Sequence, residues 1–130
     1  MNHPDVSYPK SANTPTSHLP FSPCVACGDL IFVSGQASVD SSGQIISDSF
    51  EGEFRRSVEN LRNILESASS DLAHVIQVKC YVRDEADMAV YNQLYREYFT
   101  APYPARSTIT NCLGKALRFE LDAIAVKRKG

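Results

Sequence analysis

Two periodicities meet in the middle of this chain, and together they restrict what it can fold into. Phe54, Val58, Leu61, Leu65 and Ala68 recur at helical spacing, with Glu53, Arg55, Arg56, Glu59 and Arg62 on the remaining faces. That spacing predicts one amphipathic helix over about residues 50–69. After a break at Ser69-Ser70-Asp71 the period becomes two: Ile76, Val78, Cys80 and Val82 alternate with Gln77, Lys79, Tyr81 and Arg83. This is the pattern of a strand with one face on the core. A helix with one apolar stripe next to a strand with one apolar face is a layered unit, because each needs a partner surface to leave water. Asp48, with Glu51 three residues on, reads as an acidic capping box for the helix.

The flanking segments extend the pattern. From Phe21 an extended run reaches Cys27, turns at Gly28-Asp29 and returns through an apolar strand, 30–33, that ends at Ser34-Gly35. This reads as a hairpin. Turn formers fill 40–44, and residues 44–47 are expected to add a short edge strand. Asp84 is the expected N-cap of a second helix with Met88, Tyr91, Leu94, Tyr95 and Tyr98 as its apolar stripe. Pro102 and Pro104 stop that helix before a strand beginning at Arg106. The last strand, 117–127, is expected to pair with the Arg106 strand after a turn near Gly114-Lys115.

The resulting order is strand, strand, helix, strand, helix, strand, strand. It predicts an α+β fold in which two helices cover one face of a mixed sheet. The other face is left semi-apolar over an area that monomers rarely expose, so oligomerisation is expected. Residues 1–19, rich in Pro, Ser, Thr and Asn, read as a flexible arm ahead of a single domain at 20–130.

Composition narrows the function. A chain of 130 residues builds one core. No apolar run approaches the roughly 20 residues of a spanning helix, and the first 20 residues hold no stretch of signal-peptide length. A cytoplasmic chain without membrane partners is expected, and its cysteines, Cys24, Cys27, Cys80 and Cys112, should be reduced thiols. A net charge of −2 gives no electrostatic case for nucleic-acid binding, and Lys127-Arg128-Lys129 reads as a solvated tail. Cys24-Val25-Ala26-Cys27 has CxxC spacing, but no second CxxC exists and the three histidines are scattered. On a strand the two sulfurs would point to opposite faces, so no metal site is expected.

The candidate site centres on Pro104-Ala105-Arg106-Ser107, where an arginine opens a β-alternating run just behind a proline. A guanidinium held there presents a planar fork of donors that matches a carboxylate two to two. A surface salt bridge is the plainer alternative. Three more blocks join this one: Ile31-Phe32-Val33-Ser34-Gly35-Gln36, Tyr91 to Phe99, and Phe119 to Val126. In this order and at these gaps, the four resemble the signature blocks of the RidA/YjgF family of reactive intermediate deaminases, also known as L-PSP endoribonucleases. The resemblance runs from about residue 20 to 126.

It implies a homotrimer of chorismate-mutase-like subunits with a central barrel and sites in clefts between neighbours. It also implies hydrolysis of enamines and imines, such as 2-aminoacrylate, to a 2-keto acid and ammonia. The reaction asks for an anchor, a water and a proton relay, and for no cofactor. By the resemblance Arg106 anchors the substrate carboxylate and Glu120 positions the attacking water, the backbone N–H of Thr108 donates to the substrate, and Asn92, Ser34 and Gly35 line the cleft. Phe21 falls where the family usually has tyrosine, and it cannot donate a hydroxyl hydrogen bond. The run 112–117 also departs from the family's turn, and since a one-residue slip would turn Glu120 to the other face, its register against Arg106 is open. Two functional readings follow: an imine or enamine deaminase, or a trimer that binds 2-keto acids or another small ligand, with an L-PSP-type endoribonuclease as a further variant.

Overall fold

A computed structural model describes residues 4–10, 14 and 17–129. Among them the chain forms strands β1 (Val6–Ser7), β2 (Cys24–Cys27) and β3 (Leu30–Ala37), helix α1 (Phe50–Ser67), strand β4 (Val75–Val82), helix α2 (Met88–Tyr98), and strands β5 (Ala105–Thr110) and β6 (Phe119–Val126). The sheet order is β1-β2-β3-β6-β4-β5, with every neighbouring pair antiparallel except β4 and β5. The α+β architecture with one mixed sheet and two helices is therefore as expected. β6 lies between β3 and β4 and opposes both, so those two run parallel and are joined by α1. The second parallel pair, β4 and β5, is joined by α2, as a parallel connection requires.

Several local expectations are corrected. The last strand does not pair with the Arg106 strand: β6 takes the place between β3 and β4, and β5 is left at the sheet edge with β4 as its neighbour. A hairpin is the shortest connection, but β6 buries both its edges by inserting centrally, and its alternating residues Phe119, Leu121, Ala123 and Ala125 all reach the core. β3 runs on through Ser34 and Gly35 to Ala37, with a register shift between Val33 and Gln36, so those residues form a bulge rather than a terminating turn. Residues 44–47 contribute only one isolated bridge, Val39 to Ile45. Within the segment read as a flexible arm, Val6 and Ser7 pair with Cys27 and Ala26, while 1–3, 11–13, 15 and 16 lie outside the described residues.

The cap of α1 is Ser49, whose side chain accepts from the Gly52 N–H at 3.1 Å, and not the Asp48/Glu51 box. Asp48 instead accepts from Ser49 N–H at 2.7 Å. α1 ends at Ser67, two residues short of the expected stop. Asp84 makes no side-chain cap, because a 3-10 turn at Glu85–Asp87 intervenes before α2.

Both helices lie on one face of the sheet. Phe54, Val58, Leu61 and Leu65 of α1 and Tyr91 and Leu94 of α2 bury against Ile31, Val33, Val78, Cys80 and Leu121. Fully burying each such side chain stabilises the fold by about 1.5–3 kcal/mol. Ile76 departs from the expected alternation: a register shift between Val75 and Gln77 puts Val75 in the core and leaves Ile76 46% exposed. Glu53, expected on a polar face, is 1% exposed. Its carboxylate accepts from the N–H groups of Arg118 (2.8 Å) and Asp48 (3.1 Å), which ties the entry of β6 to the start of α1. The helix-free face carries Leu30, Phe32 and Ile109, each at least 41% exposed, whereas the apolar alternation of β6 lies in the core beneath the helices.

Candidate functional site

Strand register decides which candidate residues share a space. Arg106 stands opposite Val78 and Thr108 opposite Cys80, and both partners are fully buried beneath the helices. Arg106 and Thr108 therefore project to the helix side. Tyr91 and Tyr95, one turn apart on α2, face the same strand. The Arg106 guanidinium carbon lies 4.9 Å from the centre of the Tyr91 ring and 4.7 Å from that of Tyr95. Tyr91 is fixed in turn by a 2.7 Å hydrogen bond between its hydroxyl and that of Thr108. Two aromatic faces hold the cation by its π-contacts and leave the edge of its fork free. Among the described residues no carboxylate pairs with Arg106, so the surface salt bridge is not what this arginine makes.

A cleft of about 270 Å³ opens in front of it, lined by Asn92, Tyr95, Arg96, Tyr103, Pro104 and Arg106. Asn92 donates to the Met88 carbonyl at 3.2 Å. Burial pushes the Tyr95 hydroxyl up to about 12, raises that of Tyr91 further, and lifts the Cys80 thiol to about 11. These groups stay protonated near neutrality, so this wall supplies neither a phenolate nor a thiolate base.

Glu120 occupies the opposite face. It pairs with Tyr81 of β4 and Ala37 of β3, and Tyr81 lies between the buried Cys80 and Val82 and projects away from the helices. A second cleft, of about 220 Å³, runs past Glu120, Gly35, Phe21 and Pro23, with Ser34 and Asp122 on a contiguous opening. The Ser34 hydroxyl donates to the Ser22 carbonyl at 2.6 Å, which fastens the Phe21 segment to the bulge of β3. Gly35 is needed for close approach: a Cβ there would stand 3.1 Å from the Glu120 carboxyl carbon. Burial, reinforced by the nearby Asp122 charge, raises the Glu120 pKa above the usual carboxylate range. Asp122 is occupied by the Tyr81 hydroxyl at 2.9 Å, whereas Glu120 makes no hydrogen bond or ion pair among the described residues. A half-buried carboxyl with a raised pKa and free oxygens is suited to take a proton from water.

The seven candidates thus fall into two groups. Arg106, Thr108 and Asn92 gather on the helix side; Glu120, Gly35, Ser34 and Phe21 gather on the other. A single chain does not bring Arg106 and Glu120 together. The aromatic clamp of Tyr91 and Tyr95 was visible in the sequence only as part of an apolar stripe, although their spacing of four on the face that meets β5 was the signal for it. Cys24 is buried and Cys27 exposed, so the CxxC sulfurs diverge. No group of three or more metal-ligating side chains occurs among the described residues.

Residues 11–127 match the family profile described as Endoribonuclease L-PSP. The chain belongs to this family, the RidA/YjgF proteins. A RutC family protein of Pyrococcus abyssi is 36% identical over 110 residues, 83% of this chain and 87% of that protein. The human 2-iminobutanoate/2-iminopropanoate deaminase is 31% identical over 119 residues, 90% and 87% of the two chains. Among solved structures, the YjgF gene product of Escherichia coli superposes with a TM-score of 0.83 at 31% identity, covering 94% of this chain and 99% of that one. Relatives named as imine deaminases are thus similar to this protein in sequence, and the YjgF gene product is similar to it in fold. No helix among the described residues is long and apolar enough to cross a membrane.

Proposed function

We propose that this protein hydrolyses imines and enamines of 2-keto acids, such as 2-aminoacrylate, and does so as a cytoplasmic homotrimer. The observation that carries the reading is the pair of half-sites. An arginine clamped between two tyrosine rings lacks a counter-ion among the described residues, and a half-buried glutamate with free oxygens stands on the opposite face of the same sheet. A small substrate can meet both only where the Arg106 cleft of one subunit abuts the Glu120 cleft of another. The exposed Leu30, Phe32 and Ile109 supply the apolar surface for such an assembly around a central barrel. Four free cysteines suit a reducing compartment. The deaminase name of the human relative supports the reaction class.

In this reading Arg106 takes the substrate carboxylate by a bidentate charge-assisted pair, with Asn92 and the Thr108 backbone N–H alongside. The enamine first takes a proton from solvent at carbon to give the iminium, the protonated imine. Water adds its oxygen to the C=N carbon and gives one proton to the Glu120 carboxylate of the neighbouring subunit. That proton passes to nitrogen, the carbinolamine hydroxyl gives its own proton to the Glu120 carboxylate thus restored, which returns it to solvent, and the C–N bond breaks to leave a 2-keto acid and ammonia. Phe21 walls the pocket without donating a hydrogen bond.

The test generates 2-aminoacrylate and 2-aminocrotonate in situ with a pyridoxal-phosphate dehydratase and follows their decay with wild type and Arg106→Ala. Acceleration by the wild type that falls at least a hundredfold in the variant is the expected result. Sedimentation of the wild type should give three times the mass of one chain. No acceleration, or an Arg106→Ala protein as fast as wild type, would overturn the reading.

A further inference from the structure

Eight arginines occur in this chain. Six of them have a carboxylate within ion-pair distance: Arg55, Arg56, Arg62, Arg83, Arg118 and Arg128. Arg96 and Arg106 have none among the described residues, and these two line the same cleft. Arg96 lies one helical turn beyond Asn92, so both side chains occupy the cleft-facing side of α2. Its guanidinium donates to the Asn92 carbonyl at 3.2 Å. The acid next to it in sequence, Glu97, is taken by Arg55 at 3.1 Å. The cleft wall holds no acidic residue. Besides Asn92 and the two cations, the wall is made of Tyr95, Tyr103 and Pro104, which bring no charge.

Both guanidiniums are exposed, so solvent screens their mutual repulsion, but a ligand that brings two negative groups can pair with both at once. A monocarboxylate on Arg106 would leave Arg96 uncompensated. Partial neutralisation by the C-terminal dipole of α2 accounts for a cation in the last turn, but not for one that shares the cleft with Arg106.

We propose that the cleft selects a doubly acidic substrate, a 2-imino or 2-enamino dicarboxylic acid whose first carboxylate sits on Arg106 and whose second sits on Arg96. The hydrolytic part rests on the deaminase reading; the recognition of two acidic groups does not. Water replaces the imino nitrogen as before, releasing a 2-keto dicarboxylic acid and ammonia.

The experiment compares imines made in situ by amino-acid oxidases from aspartate and glutamate with those from alanine and 2-aminobutyrate. Wild type should favour the dicarboxylic imines in kcat/KM, and Arg96→Gln should lower the dicarboxylic-to-monocarboxylic ratio by roughly tenfold to a hundredfold, the worth of a hydrogen-bonded charge pair. A ratio at or below one in the wild type, or a ratio untouched by the substitution, overturns the inference. A merely structural role for Arg96 would lower the thermal midpoint and leave the ratio alone. Calorimetric binding of glutarate against butyrate separates the two proposals. If no imine is hydrolysed yet glutarate binds at least tenfold tighter in an Arg96-dependent way, the acid-pair assignment stands and the deaminase reading fails. If imines are hydrolysed without discrimination, the acid-pair assignment alone fails.

Discussion

Replacing Gly35 by alanine tests whether Glu120 works from the position the bulge gives it. The new Cβ would stand 3.1 Å from Cδ of Glu120 and 3.2 and 3.3 Å from its two oxygens, where ordinary contact begins at 3.4 Å. The carboxyl must therefore retreat by roughly 0.3 Å, which the end of a flexible side chain can do. Gly35 is not among the residues with positive φ, so alanine brings no backbone strain. It also narrows the unfolded ensemble, worth about 0.4–1 kcal/mol, which offsets the tight contact. Net stability should stay within about 1 kcal/mol of wild type. Activity should not. If a 1 Å misplacement costs about a hundredfold, a few tenths of an ångström cost roughly four- to tenfold in kcat. The added methyl also dries the carboxyl, so its pKa rises further and the acid limb of the rate profile moves to higher pH, because the base must be ionised to accept a proton. The assays are denaturant unfolding and a pH–rate profile on 2-aminoacrylate. An unchanged rate with an unmoved acid limb would refute Glu120 as the base, and a stability loss above about 3 kcal/mol would refute the claim that the contact is soft.

Glu120→Gln should lower kcat by about 10² to 10⁴, the usual worth of a general base. It should also raise stability at neutral pH. The folded pKa of Glu120 lies above its unfolded value, so its contribution is fully present below the unfolded pKa and lost as pH rises through the folded one. Unfolding at pH 4 and pH 7.5 checks the sign: the variant's advantage should be larger at pH 7.5. Glu53→Ala leaves the N–H groups of Arg118 and Asp48 without their acceptor and should destabilise by about 2–4 kcal/mol in urea unfolding. Tyr91→Phe removes the 2.7 Å bond to Thr108 while keeping the ring under Arg106, so stability should fall by about 1 kcal/mol, and a cycle with Thr108→Val should show most of that as coupling.

Much of the architecture followed from local pattern. The stripe from Phe54 to Leu65 needed a surface, and the alternations of β4 and β6 supplied one, so helix-on-sheet layering was legible before any contact was seen. The place of Arg106 near the start of a strand was legible too, from the prolines that stop the helix before it. Pairing was not legible. A hairpin of β5 and β6 satisfies the same alternation as the insertion of β6 between β3 and β4, and only the summed burial of both its edges chooses between them. Glu53 read as polar surface because spacing cannot see that two distant N–H groups, 48 and 118, converge on it.

By itself, then, the sequence determined which residues carry charge, which faces are apolar and which segments turn, because these depend on side-chain type and short-range periodicity. Tertiary structure alone decided that Arg106 and Glu120 stand on opposite faces of one sheet and that Arg96 joins Arg106 in one cleft. Those facts depend on strand order and register, where a single insertion or slip exchanges faces at no local cost.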